Sequence, residues 1–195
     1  MKILVISSNL IGDTILSTGV IEYFINKYSN SRFTFVIGPS ASQIYDNFPN
    51  LERLVKIKKK KYNSHWFKII KNCLFTKWDI VIDFRSSLIS YLLFHNEKFI
   101  FKKNNNFHHL KQLSNLFKFD CSNLTIYNSI KETEIVEKVI NNKFKYVVVS
   151  PGGNWIPKLW PVNNFNKIIK IIIKKHINVK FIIVGSLNEK KLYYE

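Results

Sequence analysis

The feature that most constrains this chain is an alternation. Short runs of β-branched and apolar residues recur along it, separated by amphipathic stretches with helical spacing. Lys2–Ser7 is apolar almost throughout and reads as a strand buried on both faces. Thr14–Tyr28 follows as a helix, with Leu16, Val20, Tyr23 and Phe24 on one face and Lys27 at a basic end. Further strands are expected at Arg32–Ile37, Leu54–Ile57, Trp78–Phe84 and Lys98–Phe101. Helices are expected at Trp66–Phe75, Ser86–Phe94, His109–Phe117 and Glu132–Asn141.

A second series opens with the strand Lys145–Ser150. A loop bearing glycine and proline then leads to Pro161, a residue that a helix tolerates in its first turn. Phe165, Ile168, Ile169 and Ile172 share one face of the next helix, with Lys167, Lys170 and Lys174 on the other side. Val179–Val184 is a strand that ends at Gly185, and Asn188–Glu195 begins another helix. Alternating β and α units imply a parallel sheet with helices on both faces and right-handed crossovers. The expected fold class is α/β, with one Rossmann-like domain over residues 1–143. The first part of a second follows over residues 144–195, too short to stand as a doubly wound domain.

Composition excludes several alternatives. The chain has 195 residues, 46% hydrophobic and 22% charged, which is far from disordered, collagenous or disulfide-stapled sequence. No apolar run reaches the roughly 20 residues of a membrane-spanning helix. The first residues lack a secretory signal, and Cys73 and Cys121 read as reduced thiols, so a cytoplasmic protein is expected. The net charge of +17 favours anionic partners: nucleic acid, an anionic membrane leaflet or a phosphorylated substrate. Only Arg32, Arg53 and Arg85 are arginines, whereas bidentate recognition of phosphates and bases favours arginine. A surface enriched in lysine by coding bias explains the charge equally well. The densest cluster, Lys56 to Lys61, reads either as a solvated loop or as a contact for acidic headgroups.

In open α/β sheets ligands bind outside the carboxyl ends of the strands, and three loops there hold reactive residues. The first, Ser7 to Thr14, contains Gly12 and Asp13. Asp13 is suited either to capping the helix or to taking a proton from a hydroxyl in the cleft. A helix N-terminus stabilises a carboxylate and weakens it as a base, so the second role needs desolvation. The second loop, Ser150 to Pro161, offers Gly152, Gly153, Asn154 and Lys158. Two glycines, an amide, a cation and a helix N-terminus suit a phosphate, although an ordinary glycine loop has the same composition. The third, Asp79 to Ser87, carries Asp83 and Arg85, which read as a local ion pair with a Ser86 cap or as groups facing the cleft. The five histidines have no metal spacing, and His108-His109 reads as a surface pair.

Taken together these segments resemble glycosyltransferase family 9, the ADP-heptose:lipopolysaccharide heptosyltransferases. Lys2 to Ile6 with Ile11-Gly12-Asp13-Thr14 resembles that family's first strand and Gly-Asp turn, and Trp78 to Asp83 its central strand. Pro151 to Pro161, with Lys158-Leu159-Trp160-Pro161 at the right distance from the glycines, resembles its donor loop. Val184 to Glu189 is similar to a later strand end. The resemblance implies a GT-B fold and inverting, metal-independent transfer of heptose from a nucleotide sugar, ADP-heptose, with no cofactor. The acceptor would be the lipopolysaccharide core at the inner leaflet, with peripheral contact to the anionic inner membrane and no specific nucleic acid. Asp13 matches the general base, Gly153, Asn154 and Lys158 the donor diphosphate site, and Gly12, Asp83 and Arg85 lie on the acceptor side. Gly19 departs from the pattern, since proline is usual there. The family's later nucleotide loop has no match, so little activity is expected of this chain alone. The alternative is a non-catalytic basic protein that binds anionic lipid or nucleic acid.

Overall fold

The computed structural model describes residues 1–58, 69, 71–153, 156–186 and 189. The chain divides into two compact units, Met1–Ser129 and Ile130–Glu195.

The first unit is built on a five-stranded parallel sheet: β1 (Lys2–Ile6), β2 (Arg32–Ile37), β3 (Leu51–Lys56), β4 (Trp78–Asp83) and β5 (His95–Ile100). Their order is β3-β2-β1-β4-β5. The chain therefore winds outward from β1 in one direction, then returns and winds outward in the other. The switch point lies between β1 and β4, where such sheets open a crevice at their carboxyl ends. Strand side chains alternate between two cores. Ile3, Val5, Phe33, Phe35, Ile80 and Ile82 pack with Val20, Ile21 and Phe24 of helix α1 (Ile11–Lys27) and with Leu113 and Phe117 of helix α2 (His109–Phe117). Leu4, Ile6, Val36, Val55, Trp78 and Val81 pack on the other face with Ile69, Cys73, Ile89 and Leu93. The indole of Trp78 is buried, and its Nε1 donates to the Cys73 carbonyl at 2.9 Å. Burial pushes the Cys73 thiol up to about 11, against a smaller opposing pull from Arg53.

The inner strands match the sequence pattern closely, whereas the edge strands run longer than expected. β3 begins at Leu51 and β5 at His95, three residues before the expected starts at Leu54 and Lys98. Both are edge strands whose first residues include the exposed Glu52, Arg53, Asn96 and Glu97, and polar side chains mask the apolar pattern there. The expected helix Ser86–Phe94 does not form. A single 3-10 turn, Leu88–Tyr91, links β4 to β5. The connection must return the chain along the full length of β4, about 20 Å for six residues, and has few residues to do it. An α-helix at about 1.5 Å per residue is too compact for that span. Of the helix expected at Trp66–Phe75, Trp66 lies outside the described residues, while Ile69 and residues 71–73 are helical.

After α2 the chain runs back across α1 without regular structure. A Cβ placed on Gly19 would lie within 2.0 Å of the Cys121 carbonyl oxygen, so only glycine allows this approach. The Thr125 N–H donates to Thr18 Oγ1 at 3.2 Å, and the Tyr127 hydroxyl donates to Glu22 Oε2 at 2.6 Å. Burial, then the neighbouring Glu22 carboxylate, pushes the Tyr127 hydroxyl up to about 12, so it remains a donor at ordinary pH.

The second unit holds helix α3 (Ile130–Val139), strand β6 (Lys145–Val149), helix α4 (Val162–Lys175) and strand β7 (Val179–Ile183). β6 and β7 pair in parallel, from Lys145 opposite Val179 to Val149 opposite Ile183. No residue of α3 or α4 is buried, and Val148 and Ile183 are exposed. Helix α3 joins this unit ahead of the start expected near Phe144. The Tyr146 hydroxyl of β6 ties the two together: it donates to the Val139 carbonyl and accepts the Asn141 N–H. Pro161 is the N-cap of α4, and helix α3 starts two residues before the expected Glu132.

Candidate active site

Asp13 sits in the first turn of α1, directly after the carboxyl end of the central strand β1. It is not the helix cap. The helix starts at Ile11, its N-cap is Leu10, and no side chain caps it. The Ser8 hydroxyl, just before the helix, accepts the Leu10 N–H at 3.1 Å and donates to Asp13 Oδ2 at 3.5 Å. The carboxylate is half-buried. Next to it, a Cβ on Gly12 would meet no atom within 4 Å, so the first turn of α1 faces open space beside the carboxylate.

Asp83 and Arg85 do not form the expected ion pair. The Asp83 side chain is wholly buried at the carboxyl end of β4. Its Oδ1 accepts the Arg85 N–H at 2.8 Å and its Oδ2 the Ser87 N–H at 2.7 Å. The buried carboxylate is thereby spent on shaping the turn. Ser86 has a φ of 52°, and its hydroxyl donates to the Phe101 carbonyl at 2.7 Å instead of capping a helix. Arg85 is exposed on the resulting turn and lines a cavity of about 300 Å³ with Ile6, Val36, Ile57 and Ile89.

The sequence reading missed His109. His108 is exposed as expected, but the His109 ring packs on Phe101 with centroids 4.8 Å apart, and its Nε2 is enclosed. Burial lowers its pKa, Asp13 pulls it upward, and Lys103 and His108 lower it again. No periodic pattern signals this, because Phe101 reaches the ring across an irregular loop.

In the second unit, Asn154 lies outside the described residues. Gly153 is exposed, and Lys158 is exposed at the end of a short 3-10 turn, Ile156–Lys158. Glu189 occupies this loop. A Cβ on Gly152 would lie within 2.1 Å of its Oε1, and its Oε2 accepts the Ser186 N–H at 2.6 Å. Hydrogen bonds from Ser186, and a smaller one from the Gly153 backbone, lower the Glu189 pKa. The Glu189 carboxylate thus lies against Gly152 of the glycine loop and is held by the Ser186 N–H. Among the described residues there is no cluster of three or more metal-ligating side chains.

Comparison with solved structures defines the class. A glycosyl transferase family 9 structure from Veillonella parvula superposes with a TM-score of 0.73 at 18% identity, over 98% of this chain and 64% of its own. The E. coli heptosyltransferase WaaC with ADP gives 0.69 at 15% identity, over 98% and 70%. E. coli ADP-heptose lps heptosyltransferase II gives 0.67 at 13% identity, over 98% and 66%. No family model matches the chain, and no curated protein does. The fold is thus the GT-B type of these glycosyltransferases: a Rossmann-like first unit and the first part of a second. Within that type the chain resembles family 9 and its heptosyltransferases in particular, and it spans 64% of the Veillonella structure.

Proposed function

We propose that this chain carries the acceptor-side domain and the start of the donor domain of an inverting glycosyltransferase that needs no metal or other cofactor. The observation that carries the reading is the fold likeness over 98% of the chain, with Asp13 in the first turn of the helix that follows its central strand. Asp13 takes the proton of the acceptor hydroxyl, and the open space over Gly12 admits that acceptor. Arg85, on the turn that Asp83 fixes, contacts an anionic part of it. Gly153, Asn154 and Lys158 hold the donor diphosphate, where a cation and aligned N–H groups stabilise the charge that develops on the leaving group.

The donor we propose is a nucleotide sugar, ADP-heptose. WaaC is known with ADP and with ADP-2-deoxy-2-fluoro heptose, and this chain shares its fold. The acceptor is the lipopolysaccharide core at the inner leaflet. A net charge of +17 suits a cytoplasmic protein peripheral to that anionic surface.

Calorimetric titration of the purified chain with ADP tests the donor half. Lys158→Ala is expected to weaken ADP binding about tenfold or more, as loss of a charge-assisted hydrogen bond would. Asp13→Ala is expected to leave ADP affinity within about twofold and to abolish any measurable heptose transfer. The unaltered chain is expected to turn over little by itself. Salt-sensitive binding to duplex DNA or anionic vesicles, with no affinity for ADP, would instead make it a basic binding protein.

A further inference from the structure

The cavity of about 300 Å³ beside Arg85 opens at the switch point of the five-stranded sheet. Ile6, the last residue of β1, lines it on one side, and the turn that follows β4 lines it on the other. Val36, Ile57 and Ile89 add walls that belong to the core on the sheet face opposite α1. Open α/β sheets bind ligands at this place. The walls are aliphatic, so the hydroxyls of a sugar find no partners among them. An alkyl chain suits them. The volume is roughly twice the 150 Å³ of a cavity that takes up benzene, which leaves room for about ten non-hydrogen atoms.

Two polar groups stand at the same cavity. Arg85 is exposed on the turn, and the neighbouring Asp83 does not neutralise it, because both oxygens of that carboxylate accept backbone N–H groups. The Ser87 hydroxyl is enclosed and has no hydrogen-bond partner among the described residues, which is uncommon for a buried polar atom. Ser86, between them, is already engaged, since its hydroxyl donates to the Phe101 carbonyl. A cation and a spare hydroxyl beside aliphatic walls match one anionic head on an apolar chain. A carboxylate fits a single guanidinium in charge and in its paired oxygens. A phosphate monoester carries roughly two charges at neutral pH, and one guanidinium leaves part of that unmatched.

We propose that this cavity binds a medium-chain aliphatic carboxylate, with the chain among Ile6, Val36, Ile57 and Ile89 and the head held by Arg85 and Ser87. The site lies across the sheet from α1, the helix that carries Asp13. Binding therefore needs neither nucleotide sugar nor acceptor, although a bound carboxylate takes Arg85 from the acceptor contact proposed above.

Isoleucine methyl NMR of the 195-residue chain, titrated with octanoate and no donor, tests this. The Ile6, Ile57 and Ile89 methyls are expected to shift together, while Ile21 on the other face stays in place. Octanoate is expected to bind about tenfold tighter than hexanoate, because two more methylenes are buried. Octanol, with the same chain and no charge, is expected to bind about tenfold more weakly than octanoate. Arg85→Gln should erase that preference and Arg85→Lys keep part of it; the residue is exposed, so neither change disturbs the core. Unshifted Ile6, Ile57 and Ile89 methyls, octanol as tight as octanoate, or octyl phosphate tighter than octanoate overturns the proposal. Each of those failures leaves the transferase reading standing, because no nucleotide takes part. An absence of ADP binding in a chain that binds octanoate would do the reverse.

Discussion

The two units share one kind of sequence pattern and differ in how far it is satisfied. In the first, the apolar faces of α1 and α2 close over a five-stranded sheet, and Ile3, Leu4 and Val5 are wholly buried. In the second, α4 has an equally regular apolar face, yet Ile168 on that face remains exposed, as does Ile171 towards the lysine side, and the sheet has two strands. Periodicity states which face of an element must be covered. Burial depends on whether enough other elements are present to cover it.

Three substitutions break or sharpen that contrast. Trp78→Ala removes a buried indole and its hydrogen bond in the first unit, and a loss of about 3–5 kcal/mol is expected in urea denaturation followed by circular dichroism. Gly19→Ala should cost about 1–3 kcal/mol although alanine favours helices, because the added methyl meets a backbone carbonyl that cannot swing aside. Ile171→Ala, at a side chain 52% exposed in the second unit, should change stability by no more than about 0.5 kcal/mol. A cost at Ile171 as large as that at Gly19 would mean that even the flank of α4 beside its lysines is covered in solution. Amide exchange sharpens the same point, with strong protection expected in β1 and β4 and weak protection in β6 and β7.

Much of this was legible in the residues. β2 and α2 stand at their expected bounds, because buried strands and helices in contact with the sheet carry uninterrupted apolar patterns. The polar starts of β3 and β5 were hidden by their edge positions. The link from β4 to β5 misled because Ile89, Leu92 and Leu93 sit at helical spacing, while the length of the crossover forbids a helix. The positions of Gly12 and Asp13 were legible from the strand–turn–helix pattern. The hydrogen bonding of Asp13 was not: the helix has no side-chain cap, and the Ser8 hydroxyl, five residues earlier, donates to Asp13 Oδ2. The buried Asp83 was read as one half of an ion pair, because sequence cannot tell a carboxylate bound by a side chain from one bound by backbone N–H groups.

The run from Cys121 to Tyr127 has a practical consequence. It carries no regular structure, so dissection guided by helices and strands would trim it and stop at Phe117. Such a fragment would take the Tyr127 hydroxyl from Glu22 and the Thr125 N–H from Thr18, uncover the groove at Gly19 and remove Tyr127 from beside Phe48. The smallest autonomous piece of this protein therefore ends no earlier than Tyr127.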